Sequence, residues 1–272
     1  MPELPEVETV RQALEKAVTN KKIIGIYHGN IGLRFPFPYQ FKQRIIGKTF
    51  LKPRRIGKYC ILPLDSKQKI LLHLGMSGKI RILGKKPKLG DHDHMLMYLE
   101  GEIYILLTDP RRFGFVDIIE GNEKNNKFIK KLGPEALSNS FTGEYFYSLV
   151  KYKERNIKSI LLDQSIVAGL GNIYVNEVLF TTGISPKRKG KNISLKKCYN
   201  LVKNIKALLL SAIKEGGTTI KDHLQPDGSL GYFKIKLRVY GKTKSKCNVC
   251  GFLIKEVKQL GRTSFYCGKC QS

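Results

Sequence analysis

The chain contains no tryptophan, only six cysteines and little negative charge: 22 Asp and Glu stand against 49 Lys and Arg, a net charge of +27 over 272 residues. A deficit of acid on that scale points to a polyanionic partner. No apolar run approaches the ~20 residues that a membrane helix needs, which excludes a helical membrane protein. The start, MPELPEVETV, is acidic where a secretory signal is basic and then apolar, so the chain reads as cytoplasmic. No internal repeat is visible, and a hydrophobic content of 42% argues against disorder. At roughly 150 residues per domain, the length points to two domains. Residues 1–124 hold 22 basic and 13 acidic side chains, whereas 125–272 hold 27 and 9, so the second part should grip more of the polyanion.

Residues 3–18 read as a helix, because Val7, Val10, Leu14 and Val18 recur at spacings of three and four and Pro5 sits in the first turn, where its missing N–H costs nothing. From about 22 to 120 the pattern changes to short β-branched and aromatic runs punctuated by Gly, Pro, Lys and Asp, which reads as a β-sandwich or barrel. A polar stretch around 124–140 marks a boundary. Helices are expected at 141–152, 154–164, 172–181 and 194–215. A Gly-punctuated loop and a cysteine-rich module follow. The domains are placed at 2–133 (β-sandwich), 134–150 (linker and start of the next helix), 151–236 (helical) and 237–272 (cysteine module).

Cys247, Cys250, Cys267 and Cys270 form CxxC-x16-CxxC, in which each pair can turn two thiolates onto one ion to complete a tetrahedral Zn²⁺ site. Four thiolates leave no open position, so the metal is structural. Lys242, Lys244, Lys246, Lys255, Lys258 and Arg262 make the module strongly basic. The lone Cys60 and Cys198 read as buried thiols. AGLGNIY (168–174) lacks the third glycine and the βαβ setting of a dinucleotide site. It reads instead as helix, two-glycine turn at Gly169 and Gly171, and a new helix opening at Asn172. The start of that helix suits a phosphate oxygen, although an ordinary helical hairpin has the same pattern.

Removal of Met1 turns Pro2 into a terminal secondary amine, a potential nucleophile because α-amino groups titrate near ~8 where a lysine remains protonated. Glu3 and Glu6, three apart, share a helix face near that amine. They serve either its chemistry or simply the helix dipole.

MPELPEVETV, HLGMSGK (73–79), TDPRRFG (108–114), GLGNIYVNE (169–177), VYGK (239–242) and GRTSFYC (261–267), in this order from end to end, closely resemble the formamidopyrimidine-DNA glycosylases. The resemblance implies an α+β protein: an N-terminal β-sandwich with a catalytic helix, then a helical domain with a helix–two-turn–helix motif and a zinc finger holding one structural Zn²⁺. It implies a monomeric base-excision-repair enzyme, both glycosylase and AP lyase, whose partner is double-stranded DNA carrying oxidised purines (8-oxoguanine, formamidopyrimidines) or abasic sites. Chemistry on a base inside a duplex requires its extrusion, which costs a few kcal/mol. The resemblance assigns Met76 and Phe113 to the apolar wedge left behind and Arg111 to the orphaned cytosine. It makes Pro2 the nucleophile at C1′, Glu3 the proton donor to the sugar ring oxygen, and Lys58 and Arg262 participants in β,δ-elimination; for Arg262 a phosphate role fits better, since a guanidinium hardly ever gives up a proton. His73, His92, Lys153, Asn172 and Tyr240 are implied phosphate contacts, with Lys158 near the lesion pocket. Six to eight neutralised phosphates imply a log–log salt slope of roughly −5 to −7.

The segment 216–236, with Gly216, Gly217, Gly228 and Gly231, resembles the family's lesion-capping loop. In DHDH (91–94), alternation places His92 and His94 on one strand face without a third metal ligand. Two other readings stand beside the first. An endonuclease VIII-like enzyme for oxidised pyrimidines fits less well with a PELPEVETV start. A non-catalytic basic zinc protein explains charge and zinc but not Pro2 with Glu3.

Overall fold

The computed structural model describes residues 2–29, 32–218 and 236–272. It divides into two compact units: Met1–Lys130 with Ile213–Lys234, and Lys131–Ala212 with Ile235–Ser272. The chain therefore returns to its first unit after the longest helix, which a linear reading of composition does not anticipate.

In the first unit, α1 (Leu4–Val18) buries Val7, Val10, Leu14 and Val18, the stripe expected from their spacing. Eight strands follow: β1 (Ile23–His28), β2 (Arg54–Ile56), β3 (Tyr59–Pro63), β4 (Lys69–His73), β5 (Lys79–Leu83), β6 (Asp93–Leu99), β7 (Ile103–Thr108) and β8 (Phe115–Ile119). They form two antiparallel four-stranded sheets, β1-β6-β7-β5 and β2-β3-β4-β8. Ile23, Met97 and Ile105 from the first sheet and Leu62, Leu72 and Val116 from the second share one apolar cluster with the α1 stripe. The short helix α2 (Phe41–Ile45) seals an end of that cluster with Phe41 and Ile45. It lies in a stretch read as strands, because five residues carry too few turns to show a period.

The second unit holds α3 (Gly143–Val150), α4 (Ile157–Leu161), α5 (Asn172–Thr181) and α6 (Leu195–Lys214), then the hairpin β9 (Ile254–Gln259) and β10 (Arg262–Cys267). Thr142 caps α3 by accepting from Tyr145 N–H at 3.1 Å, and Asn156 caps α4 by accepting from Ser159 N–H at 2.8 Å. The second cap starts α4 later than the apolar pattern suggests. α5 is buried along nearly its whole length, and β10 packs against it. Within the turn before α5, Gly169 takes a left-handed φ of +105°, whereas Gly171 is ordinary extended backbone, so only the first glycine is conformationally required. Cys60 and Cys198 are buried as expected, and burial pushes each thiol up to about 12. Among the described residues, no helix is long and apolar enough to cross a membrane.

Leu14 is fully buried in the stripe that seats α1. Leu14→Ala should cost about 2–5 kcal/mol of unfolding free energy in denaturant titration, against under about 0.5 for Gln12→Ala on the other face.

Candidate active site and metal centre

In the first unit, the start of α1 is sealed. Pro2 is buried and Glu3 and Glu6 are each 1% exposed. Glu3 N–H donates to Glu6 Oε2 at 2.9 Å, so Glu6 fixes the backbone one residue from the proline. The other Glu6 oxygen, Oε1, accepts from Thr218 N–H at 2.8 Å and Thr218 Oγ1 at 2.9 Å. Gly217 lies so close that an added Cβ would meet Glu6 Oε1 at 3.0 Å, and its φ of +78° is left-handed. Of the expected capping loop, only Gly216, Gly217, Thr218 and Lys236 are described; Gly228 and Gly231 lie outside the described residues.

Lys58, 9% exposed, sits in the turn between β2 and β3. That turn is tied to α1, because Glu8 Oε2 accepts from Arg55 Nε at 3.0 Å and Arg55 Nη1 donates to Gly57 O at 2.9 Å. Across the strands, Tyr59 pairs with His73. Burial, with Lys58 and Arg34 nearby, lowers the His73 pKa to about 4, so the ring is neutral at neutral pH. Its Nδ1 accepts from Gly75 N–H at 3.2 Å, which leaves the proton on Nε2. His73 is therefore an uncharged donor rather than a cation.

Two glycine loops meet backbone to backbone. A Cβ on Gly75, whose φ is +60°, would lie 2.3 Å from Gly114 N and from Phe113 C. This contact brings Met76, 37% exposed, into the same cluster as Phe113, 43% exposed. The Arg111 guanidinium lies 5.1 Å over the Phe113 ring. Ser77 Oγ accepts from Arg111 N–H at 3.1 Å and donates to Asp109 Oδ1 at 2.5 Å. Asp109 Oδ2 accepts from Gly114 N–H at 2.8 Å. His92 is exposed before β6, and its carbonyl accepts from Asp109 N–H. His94 is buried with Nε2 2.9 Å from Asp109 O, so the two histidines differ in surroundings.

In the second unit, Lys158 is 1% exposed and donates to Thr263 O and Ser264 Oγ, both at 2.8 Å. Asn172, the first residue of α5, donates from Nδ2 to the same Thr263 carbonyl at 3.1 Å. These bonds hold the start of β10, where Arg262 is exposed beside a cavity of about 200 Å³ lined also by Arg155 and Lys158. Lys153 is half-buried before α4. Tyr240 packs its ring edge-on to Phe265 at 5.1 Å. Its N–H and those of Arg238 and Val239 donate to the buried Glu177 carboxylate at 2.8, 2.8 and 3.0 Å. Sequence reasoning did not single out Ser77, Asp109 or Glu177. Each lies inside a motif; Ser77 and Glu177 accept from backbone N–H groups distant in the chain, and Asp109 accepts from the Ser77 hydroxyl 32 residues away and from Gly114 N–H.

The Sγ atoms of Cys247, Cys250, Cys267 and Cys270 all lie within 4.8 Å of one another, with Cys247–Cys270 at 3.9 Å and Cys250–Cys267 at 3.4 Å. Zn–S bonds of ~2.3 Å in a tetrahedron place sulfurs roughly 3.8 Å apart, so the four cysteines fit one structural Zn²⁺ with no position open for catalysis. Phe180, Val239 and Ile254 pack around them, joining the metal module to the helices.

Residues 1–116 match the formamidopyrimidine-DNA glycosylase N-terminal domain, 132–223 its H2TH domain, and 244–272 a zinc finger found in FPG and IleRS. A formamidopyrimidine-DNA glycosylase of Bartonella quintana is 44% identical over 290 residues, covering all of both chains. A Lactococcus lactis FPG in complex with Fapy-dG-containing DNA superposes with a TM-score of 0.92 at 36% identity, covering 99% of each chain. The Lactococcus lactis Fpg bound to DNA with an abasic site gives 0.91 at 36% identity, again over 99% of each.

His73 supplies a pH test. Its folded pKa of about 4 lies below the unfolded value of ~6.5, so the unfolded chain binds the extra proton and stability falls as pH drops from about 6.5 to 4. Long-range ¹H–¹⁵N spectra should show the Nε2–H tautomer with no titration above about pH 5. His73→Gln should flatten part of the acid limb of a denaturation-versus-pH curve.

Proposed function

The chain belongs to the formamidopyrimidine-DNA glycosylase family, and from that premise we propose that it excises oxidised purines from double-stranded DNA and then cleaves the abasic strand. The observation that supports the residue-level reading is the start of α1, where Pro2 is buried and Glu6 accepts from Glu3 N–H.

After loss of Met1, the Pro2 nitrogen attacks C1′ of the damaged nucleotide, and the bond from C1′ to the base breaks. Glu3 protonates the ring oxygen, the sugar opens, and a covalent iminium joins Pro2 to C1′. The iminium withdraws electrons from C2′ and acidifies its proton. Loss of that proton expels the 3′ phosphate by β-elimination, and δ-elimination then expels the 5′ phosphate, leaving a one-nucleotide gap. Lys58 and Arg262 assist these eliminations, Arg262 as a phosphate ligand. Met76, Phe113 and Arg111 occupy the space vacated by the extruded nucleotide, Arg111 facing the unpaired cytosine.

His73, His92, Lys153, Asn172 and Tyr240 contact phosphates. For Lys158, its bonds to Thr263 and Ser264 support a role in holding the Arg262 strand, beside the place near the lesion pocket that the family resemblance implies. Zinc supplies no step; the four cysteines hold it to shape the module that presents Arg262. The domains run 2–133, 134–150, 151–236 and 237–272. The enzyme works as a monomer in the bacterial cytoplasm, associated with the nucleoid through DNA.

Borohydride reduction tests the chemistry on duplex DNA containing 8-oxoguanine. A covalent adduct should form, Pro2→Gly should abolish it, and Glu3→Gln should lose base excision. No adduct from protein lacking Met1 would falsify the enzyme reading. In parallel, 8-oxoguanine should be excised faster than thymine glycol, and a preference for the pyrimidine would move the enzyme to the endonuclease VIII-like type.

A further inference from the structure

We infer that Ser77 and Asp109 set how strictly the enzyme distinguishes cytosine from adenine opposite the lesion, by fixing the backbone from which Arg111 projects. This rests on the reading of Arg111 as the residue that meets the unpaired base.

The hydrogen-bond directions are determined by the groups themselves. Arg111 N–H can only donate, so the Ser77 oxygen accepts from it at 3.1 Å, and the single Ser77 hydroxyl proton then goes to Asp109 Oδ1 at 2.5 Å. The second Asp109 oxygen takes Gly114 N–H at 2.8 Å, three residues beyond Arg111. One carboxylate thus anchors both sides of the Arg111–Phe113 segment, and through Ser77 it anchors the loop that carries Met76. Asp109 is fully buried, and the partners of its carboxylate among the described residues, the Ser77 hydroxyl and Gly114 N–H, are uncharged. A carboxylate buried without a cation is costly, which makes it an unexpected choice for holding a loop unless the bond directions matter.

Both ends of Arg111 are constrained, the backbone by Ser77 and the guanidinium by the Phe113 face at 5.1 Å. A fixed guanidinium presents parallel donors. Cytosine opposes them with two adjacent acceptors, O2 and N3, whereas adenine offers N1 beside an amino donor that repels them. Discrimination therefore depends on the fork not tilting. Without the Ser77 hydroxyl, the Arg111 backbone is free to shift, and one good bond to adenine becomes attainable. Ser77 and Asp109 are positioning residues in this scheme; neither needs to touch DNA.

The test is single-turnover excision of 8-oxoguanine opposite cytosine and opposite adenine, with wild type, Ser77→Ala, Asp109→Asn and Arg111→Ala. Ser77→Ala should lower the cytosine-to-adenine rate ratio roughly three- to tenfold, the equivalent of one neutral hydrogen bond. Asp109→Asn keeps the volume but presents an amide donor to one of its two partners, and should lower the ratio in the same direction. Thermal melting identifies any variant that fails to fold, and Ser77→Ala alone then decides. Equal loss of both rates with an unchanged ratio overturns the inference, since a purely structural role has that signature. If Arg111→Ala also leaves the ratio unchanged, the assignment of Arg111 itself has failed; if Arg111→Ala collapses the ratio and Ser77→Ala does not, only the positioning role has.

Discussion

The seating of one helix face determines where the amino end of the chain lies. Val7, Val10, Leu14 and Val18 lock α1 into the core shared by both sheets, so the helix start cannot drift without opening that core. Glu6 then holds the backbone at Glu3, and Glu8 reaches Arg55 to set the turn that carries Lys58. An amine nucleophile on a free terminus would lose its geometry to chain entropy. On the proposed reading, the Pro2 amine takes the rigidity of the core from this helix.

In a chain so short of acid, buried carboxylates perform a common task. Glu6 accepts from the N–H groups of Glu3 and Thr218, Asp109 from Gly114 N–H and the Ser77 hydroxyl, and Glu177 from three consecutive N–H groups at 238–240. Each fixes loop backbone through charge-assisted bonds, which are roughly twice as strong as neutral ones. Among the described residues, Glu3, Glu6, Asp109 and Glu177 are the buried carboxylates, in a chain whose Lys and Arg outnumber Asp and Glu by 49 to 22.

What the sequence made legible followed from short-range regularities. The spacing of Val7 to Val18 marked α1, and the helix expected at 172–181 is the helix observed. The CxxC pairs identified the metal centre because coordination geometry constrains spacing directly. Short elements without a full period, such as α2, were invisible, and the late start of α4 depended on an Asn156 cap that apolar pattern ignores. Ser77, Asp109 and Glu177 escaped because their partners lie 5 to 63 residues away, a pairing that no local pattern encodes. The glycines at 75 and 114 were the available clue: both are needed because two loops approach more closely than a Cβ permits.

Locating the covalent bond tests the central claim most directly. After borohydride reduction on 8-oxoguanine DNA, nuclease and trypsin digestion should leave the deoxyribose remnant on the peptide spanning residues 2–11, with fragmentation placing the added mass on the nitrogen of Pro2. A remnant on Lys58 or any other lysine, with the 2–11 peptide unmodified, contradicts the account.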